Sequence, residues 1–580
     1  MKVRLFAVLA FACAAASAQT ICQPTPEFST CDLIFDIPGA STAKPIDLAA
    51  EFRSPKADTF LAHAFWDGGT KWVIRYVPAE PGTHTFRLMG SVTPFAGKTG
   101  QITATPPLTN HPGWVQPENL HHFAYVDSYD YVPYLYMGAI VPDFASMDLA
   151  RWKALVDERA GQHFNHLGVT LVDSSAAANF KSPDFFRAAE EKLTYANQHG
   201  VAIDLAFFGP DLLTKLLPSE SDRREWFSYA LARLAAFDVV WQGIEAWENY
   251  DNGRLLLKEI ADYIKDGDPY KHMSTSRTLT TSAPLIDDGW MQIRSYQTSD
   301  DTVSAVEQQV YQEPAINNFS AGDKTADAFR HHLWNATMDG QYPDAVITDD
   351  ASAAAMKAWY EFMVSTRHWE LEPFFDIEGG RGLQLEGVEY VVYVENPGLV
   401  TVTVEPHGYD VEWIDPATGA HTKVKDPCKK DTCTATPPAG GHDWILHISR
   451  EGTKASMAKS VKFVSREEEL KLQDIEGDPQ KVPFEITSPD SDTISVSKPP
   501  MIGIKMKRES KALQHMMWLW TGDVTASGQG YRVIATSADG TFHIPANIAT
   551  DYPASLHVRL YAMNGLGKVY SLDRNYKLTK

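Results

Sequence analysis

A (β/α)8 barrel flanked by Ig-like β-sandwich domains is the multidomain architecture this sequence predicts, and three observations predict it. The chain is 580 residues long, enough for several domains with sizeable cores. Its outer stretches alternate apolar and polar residues in short runs broken by Gly and Pro turns, the period-two pattern of half-buried strands. Between them, 109–370 alternates short β-like runs with amphipathic helical stretches, the arithmetic of a closed barrel rather than an open sheet.

Composition narrows the function. With 74 acidic against 52 basic side chains the formal net charge is -22, which disfavours nucleic acid, polyanionic substrates and anionic membrane surfaces as partners. A hydrophobic share of 44% with 22% charged residues excludes a disordered chain.

Residues 1–18 read as a signal peptide. Lys2 and Arg4 precede the apolar run Leu5 to Ala12, and Ala16-Ser17-Ala18 offers a small-residue cleavage site before Gln19. Export to the periplasm or medium is therefore expected, and no stretch is long and apolar enough to span a bilayer. Four cysteines remain after cleavage and allow three pairings; proximity and an oxidising compartment favour Cys22–Cys31 and Cys428–Cys433 as disulfides.

Residues 22–108 carry strand candidates at Asp32–Ile37, Phe60–Phe65, Lys71–Tyr76 and His84–Leu88, separated by Asp67-Gly68-Gly69, Pro78 and Pro81-Gly82, and predict the N-terminal β-sandwich. In 109–370 the strand candidates are Val132–Met137, His166–Val172, Val201–Phe208, Val239–Gln242, His272–Arg277, Met291–Tyr296 and Ala315–Asn317. Helix candidates fall between them at Asp148–Gln162, Ser182–His199, Ser221–Ala236, Arg254–Lys265, Ser304–Gln312 and Thr325–Met338. Residues 371–450 return to strands, 451–485 form a charged linker, and 486–580 predict a C-terminal β-sandwich.

A barrel of this kind carries its chemistry at the C-terminal ends of its strands. The richest end is the fourth, where Val239-Val240-Trp241 runs into Gln242-Gly243-Ile244-Glu245-Ala246-Trp247-Glu248. Glycosidic hydrolysis needs a carboxylic acid to protonate the leaving oxygen and aromatic faces to stack on sugar. Glu245 and Glu248 are the catalytic candidates, and Trp247 and Tyr296 the substrate-binding ones; acids that merely open the next helix, and rings that merely pack a core, are the competing readings. H-E-x-x-H and G-x-S-x-G are absent, no G-x-G-x-x-G follows a strand, and His163/His166 and His331/His332 lack a third ligand, so neither a metal nor a cofactor is expected.

The residues also carry a resemblance. Ala64-Phe65-Trp66-Asp67-Gly68-Gly69, with Trp72–Tyr76 and Pro81–His84, resembles the DUF5060 β-sandwich, a domain that precedes glycoside-hydrolase-like barrels. Trp241 to Glu248, Asp268–Ser274 and Arg330–Trp334 resemble the apiosidase-like (DUF4038) group of retaining glycosidases. Residues 361–425, with Arg367–Pro373 and Trp413–Gly419, resemble the β-sandwich named for collagen binding, a name that gives no warrant for collagen here.

The resemblance implies an exported retaining glycoside hydrolase acting on a polysaccharide or glycoside, with its acid/base at Glu245 and Glu248 as second choice. It also implies a nucleophilic glutamate ending the seventh strand, in a Pro-apolar-apolar-Asn-x-Glu pattern. This chain reads Pro314-Ala315-Ile316-Asn317-Asn318-Phe319, with Phe319 at the glutamate position. The alternative is a catalytically inactive carbohydrate-binding protein on the same scaffold, and a weaker one is surface adhesion through the β-sandwiches.

Overall fold

A computed structural model describes residues 24–38, 46–108, 113–126, 131–250, 252–297, 301–319, 325–452, 476–497, 501–507, 512–521, 533–537, 539–544, 548–549 and 552–580. The predicted signal peptide, Cys22 and most of the predicted charged linker lie outside them.

The N-terminal module is two facing sheets. Thr25–Pro26, Thr99–Thr105, Gly82–Gly90, Leu48–Arg53 and Thr59–His63 form a five-stranded sheet; Cys31–Asp36, Lys71–Tyr76 and Phe65–Trp66 form a three-stranded one. Strict alternation along Cys31–Asp36 turns Cys31, Leu33 and Phe35 inward, where they meet Phe52, Trp72, Ile74 and Phe86. Leu48–Arg53 and Thr99–Thr105 are strands the sequence did not announce, because Leu48-Ala49-Ala50 blurs the alternation and Gly100 weakens the strand signal.

An antiparallel ribbon follows, of Trp114–Glu118, His122–Val126 and Tyr131–Tyr134. Its Phe123 packs on Tyr136 and Tyr342, at centroid distances of 5.7 and 5.2 Å, beside the N-terminal ends of the central strands. The expected strand Val132–Met137 is thus divided: its start belongs to the ribbon, and the first central strand is Gly138–Val141.

The centre is a seven-stranded parallel sheet, ordered Val239–Trp241, Ala202–Phe208, His166–Val172, Gly138–Val141, Gln341–Ala345, Ala315–Phe319 and Arg294–Tyr296. The segment 273–277 runs between its two edge strands. Trp241 donates its backbone N–H to Met273 O and accepts from Thr275 N–H, while Gln292 N–H donates to Ser274 O, at 2.8–2.9 Å. Helices return the chain on the outside: Ser182 accepts from Phe185 N–H with Pro183 at the first turn, and Asp148 and Thr325 cap theirs at the expected starts, while Ser219 caps Glu220–Leu234 two residues before the expected Ser221. The strand Gln341–Ala345 and the helix Asp350–Met363 complete the layer and were not anticipated.

Residues 372–450 form a six-stranded and a four-stranded sheet around Val392, Val400, Val402, Trp413 and Leu446. Cys428 and Cys433 are disulfide-bonded at paired positions of a hairpin. Cys31 is likewise disulfide-bonded. From 484 onward a three-stranded and a five-stranded sheet enclose a core of Phe484, Ile502, Phe542, Leu560 and Leu578.

The domains are joined by packed charge and apolar contact. Arg75 forks onto Asp32 at 2.8 and 2.9 Å and reaches Glu190 of the helix Pro183–Gln198, while Arg233, fully buried, bonds Glu190 and Asp67. Arg330 forks onto buried Asp443, which Tyr393 also contacts at 3.0 Å. Burial alone would raise the Asp443 carboxyl, but Arg330 outweighs it and holds it below the usual carboxylate range. No helix among the described residues is long and apolar enough to cross a membrane.

Candidate active site

The backbone after Val239–Trp241 places Glu245. Gly243 sits at φ +53, and a Cβ there would meet the Leu257 side chain at 2.8 Å, so this bend belongs to glycine. Ile244 then bridges Phe208 in parallel, and Glu245 N–H donates to Phe208 O at 3.1 Å. Ala246, at φ +50, donates to Arg277 O and turns the chain into a short 3-10 segment, Trp247–Asn249. Glu245 is therefore pinned from both flanks at the end of its strand, with its side chain 19% exposed.

Inside the sheet the strand His166–Val172 turns alternate residues to one side, and each meets a different polar group. His166 Nδ1 bonds Asp204 at 2.8 Å, and Asp204 also accepts from the Tyr136 hydroxyl at 2.5 Å. Gly168 has Arg277 Nη2 and Asp344 Oδ2 over its Cα: a Cβ would lie 2.9 and 3.5 Å from them. Thr170 Oγ1 donates to Glu245 Oε1 at 2.5 Å, and Arg277 Nη1 donates to the same oxygen. Arg277 Nη2 donates to Gln242 at 2.7 Å, which fixes the plane of the guanidinium. The result is a polar column ending in one part-exposed carboxylate held by a hydroxyl and a guanidinium.

The other predicted residues are placed differently. Glu248 accepts from the Thr278 hydroxyl and, at 2.9 Å, from Leu279 N–H, so it anchors the loop after 273–277. Burial raises its carboxyl above the usual range against those bonds. Trp247 is 4% exposed and joins the main apolar core, with its Cε3 and carbonyl close against Gly253. Tyr296 has no exposed surface: it lies on the outer side of its strand, where Arg294 donates to its hydroxyl at 2.8 Å and it donates to Glu307 at 2.6 Å. A ring with no accessible face cannot stack on a sugar, so its expected binding role is replaced by a packing one. Ser295, the next residue inward, is the one that faces the column, through Asn318 at 2.7 Å.

Phe319 ends the strand Ala315–Phe319, opposite Ala345. Along that strand the side chains facing polar partners are amides, with Asn318 donating to Asp344 at 2.6 Å and Asn317 donating to Gln341 at 2.7 Å. Among the buried carboxyls that escaped the sequence reading, two are held above the usual carboxylate range. Asp344, fully buried in Gln341–Ala345, is raised by burial and by the Asp204 carboxylate. Glu307 is pushed up to about 7 by burial, despite bonds from Tyr296 and Thr281. Of the histidines weighed as ligands, His166 is paired to Asp204, and no His, Cys, Asp or Glu cluster fit for a metal occurs among the described residues.

A separate cleft of about 330 Å³ lies between the N-terminal sandwich and the helix Glu220–Leu234, lined by Leu61, Trp66, Tyr229 and Tyr270. It shares no residue with the polar column.

Comparison with known proteins agrees with this geometry at the level of fold. Residues 25–90 match the model of a domain of unknown function, DUF5060. No curated protein matches the sequence. Among solved structures, the chain is similar to a candidate glycoside hydrolase from Bacteroides vulgatus at 18% identity and a TM-score of 0.62, covering 74% of this chain and 99% of that one. It is similar also to a family 5 glycoside hydrolase from the same organism, at 12% identity and a TM-score of 0.52, covering 60% of this chain and 95% of that one. At these identities the likeness shows the fold alone.

Proposed function

We propose that the chain is an exported glycoside hydrolase in which Glu245 is the proton-transferring carboxylate. In this reading the parallel sheet and segment 273–277 close into an eight-position barrel, and the retaining mechanism follows from the resemblance to apiosidase-like enzymes. The observation that carries it is Glu245 itself. It is a part-exposed carboxylate just past the C-terminal end of a central strand, oriented by Thr170 from the strand His166–Val172 and by Arg277 from segment 273–277. Glycoside hydrolases of similar fold support the class of chemistry.

A specific observation favours a second reading, sugar binding without hydrolysis. A retaining glycosidase needs a second carboxylate about 5–5.5 Å from the first. Among the described residues the strand Ala315–Phe319 presents Asn317 and Asn318, and the neighbouring Asp344 is too deeply buried to meet substrate.

Hydrolysis of polysaccharides and of a panel of 4-nitrophenyl glycosides separates the two. If Glu245 is the acid, Glu245→Gln lowers activity on natural glycosides by about 10²–10⁴-fold and spares the activated aryl glycosides at the first step. Equal small losses on both substrates would remove the role from Glu245. Glycan binding with no sugar released by the wild-type protein would establish the binding reading.

A further inference from the structure

Asp344 has no surface and cannot touch a substrate, yet it lies in the same column as Glu245. Its Oδ2 accepts from Asn318 Nδ2 at 2.6 Å, and Ser295 holds the far side of that amide. Its Oδ1 has no hydrogen-bond partner among the described residues. Two glycines open the space it occupies. A Cβ on Gly138 would stand 2.6 Å from Asp344 Oδ1 and 2.8 Å from the Tyr136 hydroxyl, and one on Gly168 would meet Arg277 and Asp344 together.

The groups facing Asp344 are the Arg277 guanidinium, the Asp204 carboxylate, the His166 imidazole, the Asn318 amide and the Tyr136 hydroxyl. Only Arg277 also reaches Glu245. One guanidinium therefore bonds the mouth carboxylate directly and lies within electrostatic reach of the interior carboxyl, with no ion pair to it.

We propose that Asp344 is a positioning residue for Glu245, acting through Arg277: its charge decides how firmly the guanidinium is committed to the mouth carboxylate. This rests on the reading of Glu245 as the working carboxylate. When Asp344 is neutral, the charge of Arg277 belongs to Glu245. When Asp344 ionises, it draws on the same charge across Gly168, and the hold on Glu245 loosens. Burial and Asp204 delay that ionisation beyond the ordinary carboxylate range.

The test is the Arg277 Nε–H resonance in full-length protein labelled with 15N-arginine, assigned by its loss in Arg277→Lys. In wild type it should shift on titration with a midpoint well above ordinary carboxylate values; Asp344→Asn should lose that step and keep only the step of Glu245 itself, which is identified by its loss in Glu245→Gln. Should Asp344→Asn fail to fold, Asp204→Asn removes the facing like charge and should lower the wild-type midpoint. A flat wild-type resonance, or the same titration in Asp344→Asn, overturns the proposal.

On whichever 4-nitrophenyl glycoside the protein cleaves, the kcat profile should show a limb at the same midpoint that Asp344→Asn lacks, with KM unchanged within about twofold. A limb that persists in Asp344→Asn also overturns the proposal. If Arg277 titrates as expected while the wild-type protein releases no sugar, the glycosidase reading fails and the coupling of Asp344 to Arg277 stands.

Discussion

Arg277 donates to Glu245 through one guanidinium nitrogen and to Gln242 through the other, so the mouth carboxylate is oriented by a group that is itself held in plane. The guanidinium can lie there only because Gly168 has no side chain.

Gly168→Ala should therefore disable the site without unfolding the protein. The new methyl would stand 2.9 Å from Arg277 Nη2, and overpacking of this sort costs about 1–3 kcal/mol. Hydrolysis, or glycan affinity if the protein only binds, should fall at least about tenfold while the circular dichroism spectrum is unchanged. A fully active variant would show that Arg277 need not sit where the structure places it.

Glu307 predicts how stability depends on pH. Its folded carboxyl is raised to about 7, above an unfolded value near 4.3. Between those values the folded state holds the proton and the unfolded state does not, so stability is full below the unfolded value and falls as pH rises toward 7. Glu307→Gln removes that slope. Relative to the variant, wild type should lose roughly 3–4 kcal/mol between pH 4 and pH 8, read as the difference in urea unfolding. Parallel curves for the two proteins would contradict the buried, raised carboxyl.

Removing Arg330 should loosen the junction between the central layer and the following sandwich. Arg330→Ala strands the fully buried Asp443, at a cost of about 3–5 kcal/mol. The Asp443 carboxyl is held low by that pair, so its contribution is present above the unfolded carboxylate value and is lost as pH falls through the folded one. Calorimetry should accordingly show the Arg330→Ala penalty shrinking at the acid end.

The disulfides can be checked by mass mapping under non-reducing conditions. Cys428–Cys433 should appear as one linked peptide pair, and Cys31 should be oxidised, with Cys22 its expected partner. Cys428→Ser with Cys433→Ser should cost about 2 kcal/mol, the closure entropy of so short a loop. Free thiols in the purified protein would refute the assignment.

The parts of the fold that were legible in the sequence are those where local preference and tertiary context agree. His166–Val172 is an apolar run bounded by polar residues, and Ser182-Pro183 is a helix start on its face. Gln341–Ala345 was hidden because Gln341, Pro343 and Asp344 look like a loop, although all five residues are buried in a strand. The site divides in the same way. Two acids following an apolar strand are visible in the linear chain, but Thr170, Arg277 and Asp344 come from three separate segments with no shared motif. For Arg294-Ser295-Tyr296 the difficulty is parity: alternation says that neighbours face opposite ways, and only the surrounding packing says which one faces in.

The salt-linked seam between Arg75, Arg233, Glu190 and Asp67 has a consequence for anyone dividing this chain into pieces. Cutting between the N-terminal sandwich and the rest would take Arg75 from Glu190 and Asp67 from Arg233, leave those two ion-paired only with each other across their helices, and bare Phe65, Phe237 and the rings around them. The sandwich is thus a cladding panel bolted through to the frame, and a central layer expressed without it should be insoluble for reasons unrelated to its chemistry.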